Sequence, residues 1–440
     1  MLVVLPVAAL PRLWAACTDQ GMLWPDEIYQ GPEQGHRLAF GYGLVPWEFQ
    51  QGARSWIYPG LLGVVFKGLS LLGIRHGLGL MIAAKCLMAL WALIGVFFAM
   101  KLAERLAGLG GSLAAGLLLA TFPPSLAYDA RCTTEAMTGP LLVAATFFAT
   151  DSDRDAQRPA STRALWAAGA LAATAVALRP PNAIVLVGLL VALLVGRRWK
   201  DAKRYVLAAT CAIASAGLLD AATWGAPFHS LVGYLRFNLL EGKAAQFGVE
   251  PFTFYADVAW TSVGFAVVAI GSGLLFESTQ ALGPVLIVLA YLLAHSLEPH
   301  KELRFLLPVV PLGLALAGAG IAHGMFQVAN LTRKSGEPMG DGTVRRAATA
   351  SVILALAMAY HASDLTLADL GWGRRTDDPS DAEQPELHLP AWRYMDSPNR
   401  LLAQAGEQSD ICALALAGLN VLWTGGYAYL HRDVPFYPIS

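Results

Sequence analysis

Apolar stretches long enough to cross a bilayer recur along most of this 440-residue chain. A hydrocarbon core about 30 Å thick needs roughly 20 apolar residues of helix. Inside it every backbone N–H and C=O must be bonded within the segment or a closed barrel. The runs here are long enough to cross as helices. Charge content agrees: 14% of residues are Asp, Glu, Lys or Arg, against 55% hydrophobic. A soluble chain of this length carries far more charge. The formal net charge of −1 gives no reason to expect nucleic acid as a partner.

Spans are predicted near residues 2–17, 78–100, 109–126, 136–150, 164–178, 181–196, 205–223, 257–275, 280–295, 304–325 and 347–362. The first resembles a signal peptide in apolarity, but it lacks a basic start and is interrupted by Pro6, Pro11 and Arg12, so it is read as retained. Ile57–Ile74 carries Lys67 and several glycines and is read as a helix lying at the interface. With the amino terminus inside, Lys101, Arg105, Arg154, Arg158, Arg163, Arg197, Arg198, Lys200, Lys203, Arg204, Arg333, Lys334, Arg345 and Arg346 all fall in inner loops, the usual positive-inside bias. The fold class expected is an all-α polytopic membrane protein. It has about eleven transmembrane helices and a large first outer loop bearing interfacial helices, over residues 1–362. A small α/β outer soluble domain follows over residues 363–440, with a helix near 391–406 and a strand at Ile411–Leu416. Residues 326–346 read as an inner linker.

The remaining polar clusters then share the outer side. The densest follows the first span: Trp24-Pro25-Asp26-Glu27, Glu33, His36, Trp47-Glu48 and Arg54, among Tyr42, Trp56 and Tyr58. Adjacent acids at a span end can be plain interface residues. Their density beside aromatics instead suits a general base working on a hydroxyl, with sugar rings against the aromatic faces. Glu33 and His36, three apart, share a face if helical. His300-Lys301-Glu302-Leu303-Arg304 occupies a short outer turn. It reads either as a membrane anchor or as a cationic cradle for a phosphate diester, Lys giving a point charge and Arg a planar fork. Arg131 and Arg179, on other outer turns, either snorkel or join it. The segment from Asp220 to Tyr255 is an aromatic, polar loop. His76, His229, His295, His323, His361 and His388 have no metal-ligand spacing. Cys17, Cys86, Cys132, Cys211 and Cys412 form no CxxC pair, so neither a disulfide framework nor a cysteine metal site is expected. No Walker A loop, HExxH, GxSxG or DxD pattern occurs.

Two functional classes fit: an enzyme joining an anionic lipid-linked donor to a hydroxyl acceptor, or a lipid-linked sugar flippase or transporter. The absence of an internal repeat weakens the second. A structural scaffold would be indifferent to single Asp or Lys changes.

Several motifs resemble, in order, those of glycosyltransferase family 22 of the C superfamily, the lipid-phosphate-mannose-dependent mannosyltransferases. They are Pro25-Asp26-Glu27 with Gln30, Glu33, His36, Gly41, Gly43, Trp47-Glu48 and Arg54-Ser55; Arg131, Thr133 and Glu135; Arg179-Pro180; Asp220 and Gly225; Phe237-Asn238; and His300-Lys301-Glu302 with Arg304-Phe305 and Pro308. Within the family the chain is most similar to the branch adding the third mannose in GPI-anchor assembly. Departures are Trp24 where many members have His, Pro46 for Thr, Pro181 and Asn182 after Arg-Pro, and Val249-Glu250-Pro251-Phe252 where a His-Pro-Trp block is usual.

The resemblance implies an inverting transfer of mannose from a polyprenyl- or dolichyl-phosphate donor to a hydroxyl of a membrane glycolipid or glycan. It implies Asp26 as base with Glu27 as the second choice, and His300, Lys301, Arg304 and Arg179 on the donor phosphate. Glu33, His36, Trp47, Glu48, Arg54, Arg131, Glu135 and Asn238 would lie toward acceptor and sugar. No cofactor is expected, and a divalent metal is not clearly required. Short loops and Ala/Leu/Arg-rich spans look bacterial, which implies an inner membrane with the site facing the periplasm; a eukaryotic member would face the ER lumen.

Overall fold

The computed structural model describes residues 3–150, 161–331, 342–372 and 388–439. Arg154, Arg158, Arg333 and Lys334 lie outside the described residues. After α1 (Val4–Thr18) come four helices of the first loop: α2 (Asp26–Tyr29), α3 (Pro32–Phe40), α4 (Trp47–Gln50) and α5 (Ile57–Leu71). Next are α6 (Gly77–Thr121), α7 (Pro123–Tyr128), α8 (Thr134–Ala149), α9 (Thr162–Leu178), α10 (Ala183–Val195), α11 (Trp199–Trp224) and α12 (His229–Leu235). Then follow α13 (Phe254–Val263), α14 (Ala266–Glu277), α15 (Leu282–Leu297), α16 (Val310–Leu331) and α17 (Gly342–Ser363), and finally α18 (Asp396–Glu407), β1 (Leu414–Ala417), α19 (Gly426–Leu430) and β2 (Phe436–Ile439).

Every predicted span coincides with helix. Among the described residues, three stretches are individually long and apolar enough to cross a bilayer: α6, α11 and Val310–Val328 of α16. Two predicted spans run into one another as limbs of α6, which breaks at Ala107 and Gly108, where Gly108 takes a φ of 67° that only glycine adopts easily. The predicted span 257–275 is not straight. α13 and α14 meet at 119°. Close packing of the bundle depends on small residues, as expected where apolar lipid gives helices little reason to associate. A Cβ on Gly318 would meet Ala115 N at 2.4 Å, and one on Gly169 would meet Tyr205 O at 2.2 Å.

Helix ends sort into two levels. At one, Arg105 donates to Phe147 O and Arg198 to Ala149 O, among the basic loops. At the other lie the first loop, Arg131, Arg179 and the turn before α16. α5 stays at this second level: Tyr58, Leu62 and Gly63 pack against Gly31 and Gly35, and Lys67 donates to Ala39 O at 3.3 Å. Its far face leaves Val64 73% and Leu71 80% exposed, which suits a helix resting in an interface.

The carboxy-terminal segment holds the expected helix and strand as α18 and β1, and β1 pairs in parallel with β2. It does not stand apart from the bundle. Leu402, Ala403, Ala428 and Tyr429 belong to the main core cluster. Gln20 is bound by Asp396, Asn399 and Tyr429, and Tyr29 donates to Val421 O at 2.6 Å. The two parts therefore build one surface around residues 19–36.

Candidate active site

Pro25 opens the short turn of α2, and Glu27 folds back onto the residues before it. Its Oε1 accepts from the backbone N–H of Leu23 at 2.9 Å and Trp24 at 3.2 Å. Its Oε2 receives Arg131 Nη1 at 3.0 Å, and Arg131 Nη2 bonds Asp19 Oδ2 at 2.8 Å. Lys85, from within α6, donates to Asp19 O at 2.7 Å. All four side chains are buried. Burial alone would push the Asp19 carboxyl up, but Arg131, Lys85 and two backbone N–H groups outweigh it and hold it below its usual value. Two acids and two cations thus fix the loop that carries Asp26.

Asp26 belongs to a second cluster. Arg304 Nη2 lies 2.7 Å from Asp26 Oδ2, while Arg304 Nε donates to Glu302 Oε2 and sits 4.0 Å from Glu135 Oε1. Glu135 Oε1 also receives Arg179 Nη1 at 2.7 Å. Burial pushes the Glu302 carboxyl up, yet Arg304 and His300 bring it down to about 2, so it stays an anion. Side-chain exposure separates the acids sharply: Asp26 is 32% exposed, Glu27 and Glu135 3%, and Glu302 7%. Only Asp26 of these four presents a carboxylate to an incoming molecule, and among the described residues its Oδ1 carries no hydrogen bond. Arg304 also lies over Trp24, which stacks on Trp372 with centroids 4.5 Å apart.

The expected phosphate cradle is placed differently from its sequence reading. His300 bonds Glu302 Oε1 at 3.0 Å and Gly248 O at 3.0 Å, and Lys301 donates to Glu250 O at 2.7 Å. These two side chains fasten the 248–250 loop to the turn before α16. On the side of the bundle that carries Asp26, Arg54 Nη1, Arg179 Nε and Arg304 Nη1 are buried nitrogens with no hydrogen-bond partner among the described residues. Arg54 lines a cleft of about 480 Å³, open solvent included, with Pro180, Asp220, Ser230 and Tyr234, and its walls are apolar residues of α9 and α11 such as Val176, Leu178 and Ile213. Asp220 Oδ2 accepts from Ser230 N at 2.9 Å, and its Oδ1 is unpartnered among the described residues.

Other sequence candidates are drawn elsewhere. Glu33 is wholly buried, its Oε1 accepting from Leu44 N at 2.7 Å and its Oε2 from Ala428 N at 2.8 Å. Burial raises its carboxyl to about 7 against the pull of those N–H groups. His36 bonds His431 Nδ1 at 2.9 Å and Tyr42 O at 3.2 Å. Neither residue leaves a polar atom for a sugar; both tie α3 to the carboxy-terminal segment. Glu48 accepts from Gln30 at 2.9 Å, and burial followed by the charge of Asp26 raises its carboxyl. Trp47 stacks on Phe237, centroids 4.3 Å apart, with Phe247 beyond at 6.5 Å. Asn238 caps its own turn on Tyr234 O at 2.9 Å. Sequence reasoning passed over Asp19 and Lys85. A lysine inside an apolar run was the available signal, since such a charge needs a buried partner. Among the described residues no group of three or more His, Cys, Asp or Glu is placed to hold a metal ion.

Comparison with known proteins agrees with this layout. Residues 3–370 match the Alg9-like mannosyltransferase family. GPI mannosyltransferase 3 of Yarrowia lipolytica is 32% identical over 314 residues, 70% of this chain and 60% of that protein. Mannosyltransferase APTG1 of Arabidopsis thaliana is 26% identical over 339 residues, 72% of this chain and 59% of that protein. The chain thus spans about 60% of the length of these relatives. Among solved structures, ArnT from Cupriavidus metallidurans bound to undecaprenyl phosphate superposes with a TM-score of 0.61 at 16% identity, covering 99% of this chain and 85% of that one. AglB from Archaeoglobus fulgidus, in complex with an inhibitory peptide and a dolichol-phosphate, gives 0.56 at 12% identity, covering 99% and 64%. These two share the fold, that of polytopic membrane enzymes. With its family model matching from residue 3 to residue 370, the chain belongs to the Alg9-like mannosyltransferase family.

Proposed function

We propose that the protein is a hexosyltransferase that moves mannose from a polyprenyl- or dolichyl-phosphate donor to a hydroxyl of a membrane glycolipid or glycan, inverting the anomeric carbon. The observation that carries this reading is the exposed Asp26 carboxylate bonded by Arg304, whose guanidinium also approaches the Glu135 carboxylate held by Arg179. The acceptor oxygen attacks the anomeric carbon as Asp26 takes its proton. The bond to the phosphate oxygen breaks on the opposite face, and the charge left on the lipid phosphate is met by fixed cations. Arg54 and Arg179 suit that phosphate better than Lys301 and His300, whose donors already bind backbone and Glu302. The apolar cleft between α9 and α11 beneath Arg54 suits the start of a prenyl tail. The names of the relatives support mannose as the sugar, and the lipid phosphates bound by the two solved neighbours support the donor class. In this reading guanidinium groups do the work of a divalent ion, and the site faces the periplasm of a bacterium or the lumen of the ER.

The test is transfer of radiolabelled mannose from synthetic lipid-phosphate mannose to glycolipid in membranes containing the protein, with chelator present and absent. Formation of a new mannoside, undiminished by chelator, is expected. Movement of the labelled lipid across the membrane with no glycosidic bond formed would instead establish the transporter reading.

A further inference from the structure

We propose that Cys17 and Cys86 are a modification site, joined by a reversible disulfide that clamps α1 to α6 beneath the active-site loop. Cys17 lies in the last turn of α1 and is exposed; Cys86 lies on α6 and is half-buried. Their sulfurs are 3.8 Å apart, across 69 positions of sequence that contain no other cysteine. A disulfide needs about 2.0 Å, so the sulfurs must close by roughly 1.8 Å. The other three thiols are placed elsewhere: Cys132 buried, Cys211 within α11, and Cys412 before β1. The spacing in sequence gave no hint of this pair, because only the antiparallel packing of α1 on α6 brings it together.

Its position gives the bond a consequence. Cys17 stands two residues before Asp19, and Cys86 directly follows Lys85. Lys85 already bonds Asp19 O at 2.7 Å, and Asp19 holds Arg131, which holds Glu27. A Cys17–Cys86 bond would make that non-covalent junction covalent. The chemistry needs a disulfide-bearing oxidant. The exposed Cys17 thiolate attacks one of its sulfurs and releases a thiol, and Cys86 then attacks Cys17 of the mixed disulfide and releases the second. Two protons and two electrons pass to the oxidant, which becomes two thiols.

The experiment treats the purified full-length protein in detergent with oxidised glutathione, blocks free thiols with N-ethylmaleimide, and maps peptides by mass spectrometry without reduction. A linked pair of peptides containing Cys17 and Cys86 is expected after oxidation. It should be lost on reduction and missing in Cys17→Ser. The thermal midpoint of the wild type should shift upward on oxidation, and Cys17→Ser should show no shift while keeping its basal activity. If Cys17 and Cys86 both carry maleimide after oxidation, or if Cys17→Ser shows the same shift as the wild type, the proposal fails.

Discussion

Arg304 Nη2 rests 2.7 Å from Asp26 Oδ2 and so joins two residues 278 positions apart. The same guanidinium binds Glu302 and approaches Glu135, so one cation orders three acids, of which Asp26 alone is exposed. Such an arrangement fixes the direction of Asp26 while the surrounding acids stay dry. A base needs both of these, a fixed position and an open oxygen.

Asp26→Asn keeps the size of the side chain and its contact with Arg304 while removing the proton acceptor. Transfer should fall by at least about 10²-fold, with the protein still inserted in the membrane. Glu27→Gln should act mainly through folding, because Glu27 is 3% exposed and binds Arg131 and the backbone N–H of Leu23. Measured kcat in both variants, beside their thermal midpoints, separates the roles. Near-normal kcat in Asp26→Asn would assign the base elsewhere.

Arg131→Ala should be among the most destabilising single changes in the chain. It leaves Asp19 and Glu27 buried and facing each other without their shared cation. Breaking a buried pair from one side costs about 3–5 kcal/mol. Detergent-solubilised protein should show a large drop in thermal midpoint or fail to accumulate. Arg131→Lys should recover part of the loss, since one ammonium can satisfy one acid but not both.

The donor assignment predicts an order of effects. Arg54→Ala should raise the KM for the lipid-phosphate donor more than Lys301→Ala does, and should leave the KM for the acceptor nearly unchanged. Lys301→Ala should loosen the 248–250 loop, because its ammonium bonds Glu250 O. Kinetics varying each lipid separately would check this. A larger donor effect from Lys301→Ala would return the phosphate to the turn before α16.

These contrasts show where the sequence was informative. Asp26, Glu27, Arg131, Glu135, Arg179, Glu302 and Arg304 were all visible as charges at the edges of apolar runs, and the structure gathers them. Their expense near a bilayer is the physical reason such residues stand out. Glu33 and His36 were equally visible but have another setting, because their partners Ala428 and His431 lie about 395 positions away. Helical spacing reports a shared face, not what covers it. The bend between α13 and α14 at Gly264 was hidden for a related reason: hydropathy counts residues and carries no direction.

Glu33 supplies a pH prediction whose sign is fixed. Its carboxyl is raised to about 7 in the folded protein, chiefly by burial. The folded state therefore holds that proton more tightly than the unfolded chain. Its contribution to stability is fully present below the unfolded carboxyl value and is lost as pH rises through about 7. Compared with Glu33→Gln, which cannot titrate, the wild type should lose thermal midpoint between about pH 5 and pH 8. A wild-type advantage that grows over that range would show that the N–H groups of Leu44 and Ala428 dominate over burial.

Sidedness decides whether the proposed donor can reach the site at all. Lipid-phosphate sugars serve enzymes that face away from the nucleotide sugars of the cytoplasm, so the first loop and the carboxy-terminal segment should share the outer side. Ser409 is exposed beside α18, and Lys200 is exposed among the basic residues at the opposite level. With native thiols blocked, an impermeant maleimide applied to intact cells should label Ser409→Cys and spare Lys200→Cys. The positive-inside bias makes the same assignment independently, since Lys101, Arg105, Arg198 and Arg204 all lie at the level of Lys200. Labelling of Lys200→Cys alone would place Asp26 on the cytoplasmic face. A soluble nucleotide sugar would then be the natural donor, and the apolar cleft beneath Arg54 would lose its assigned occupant.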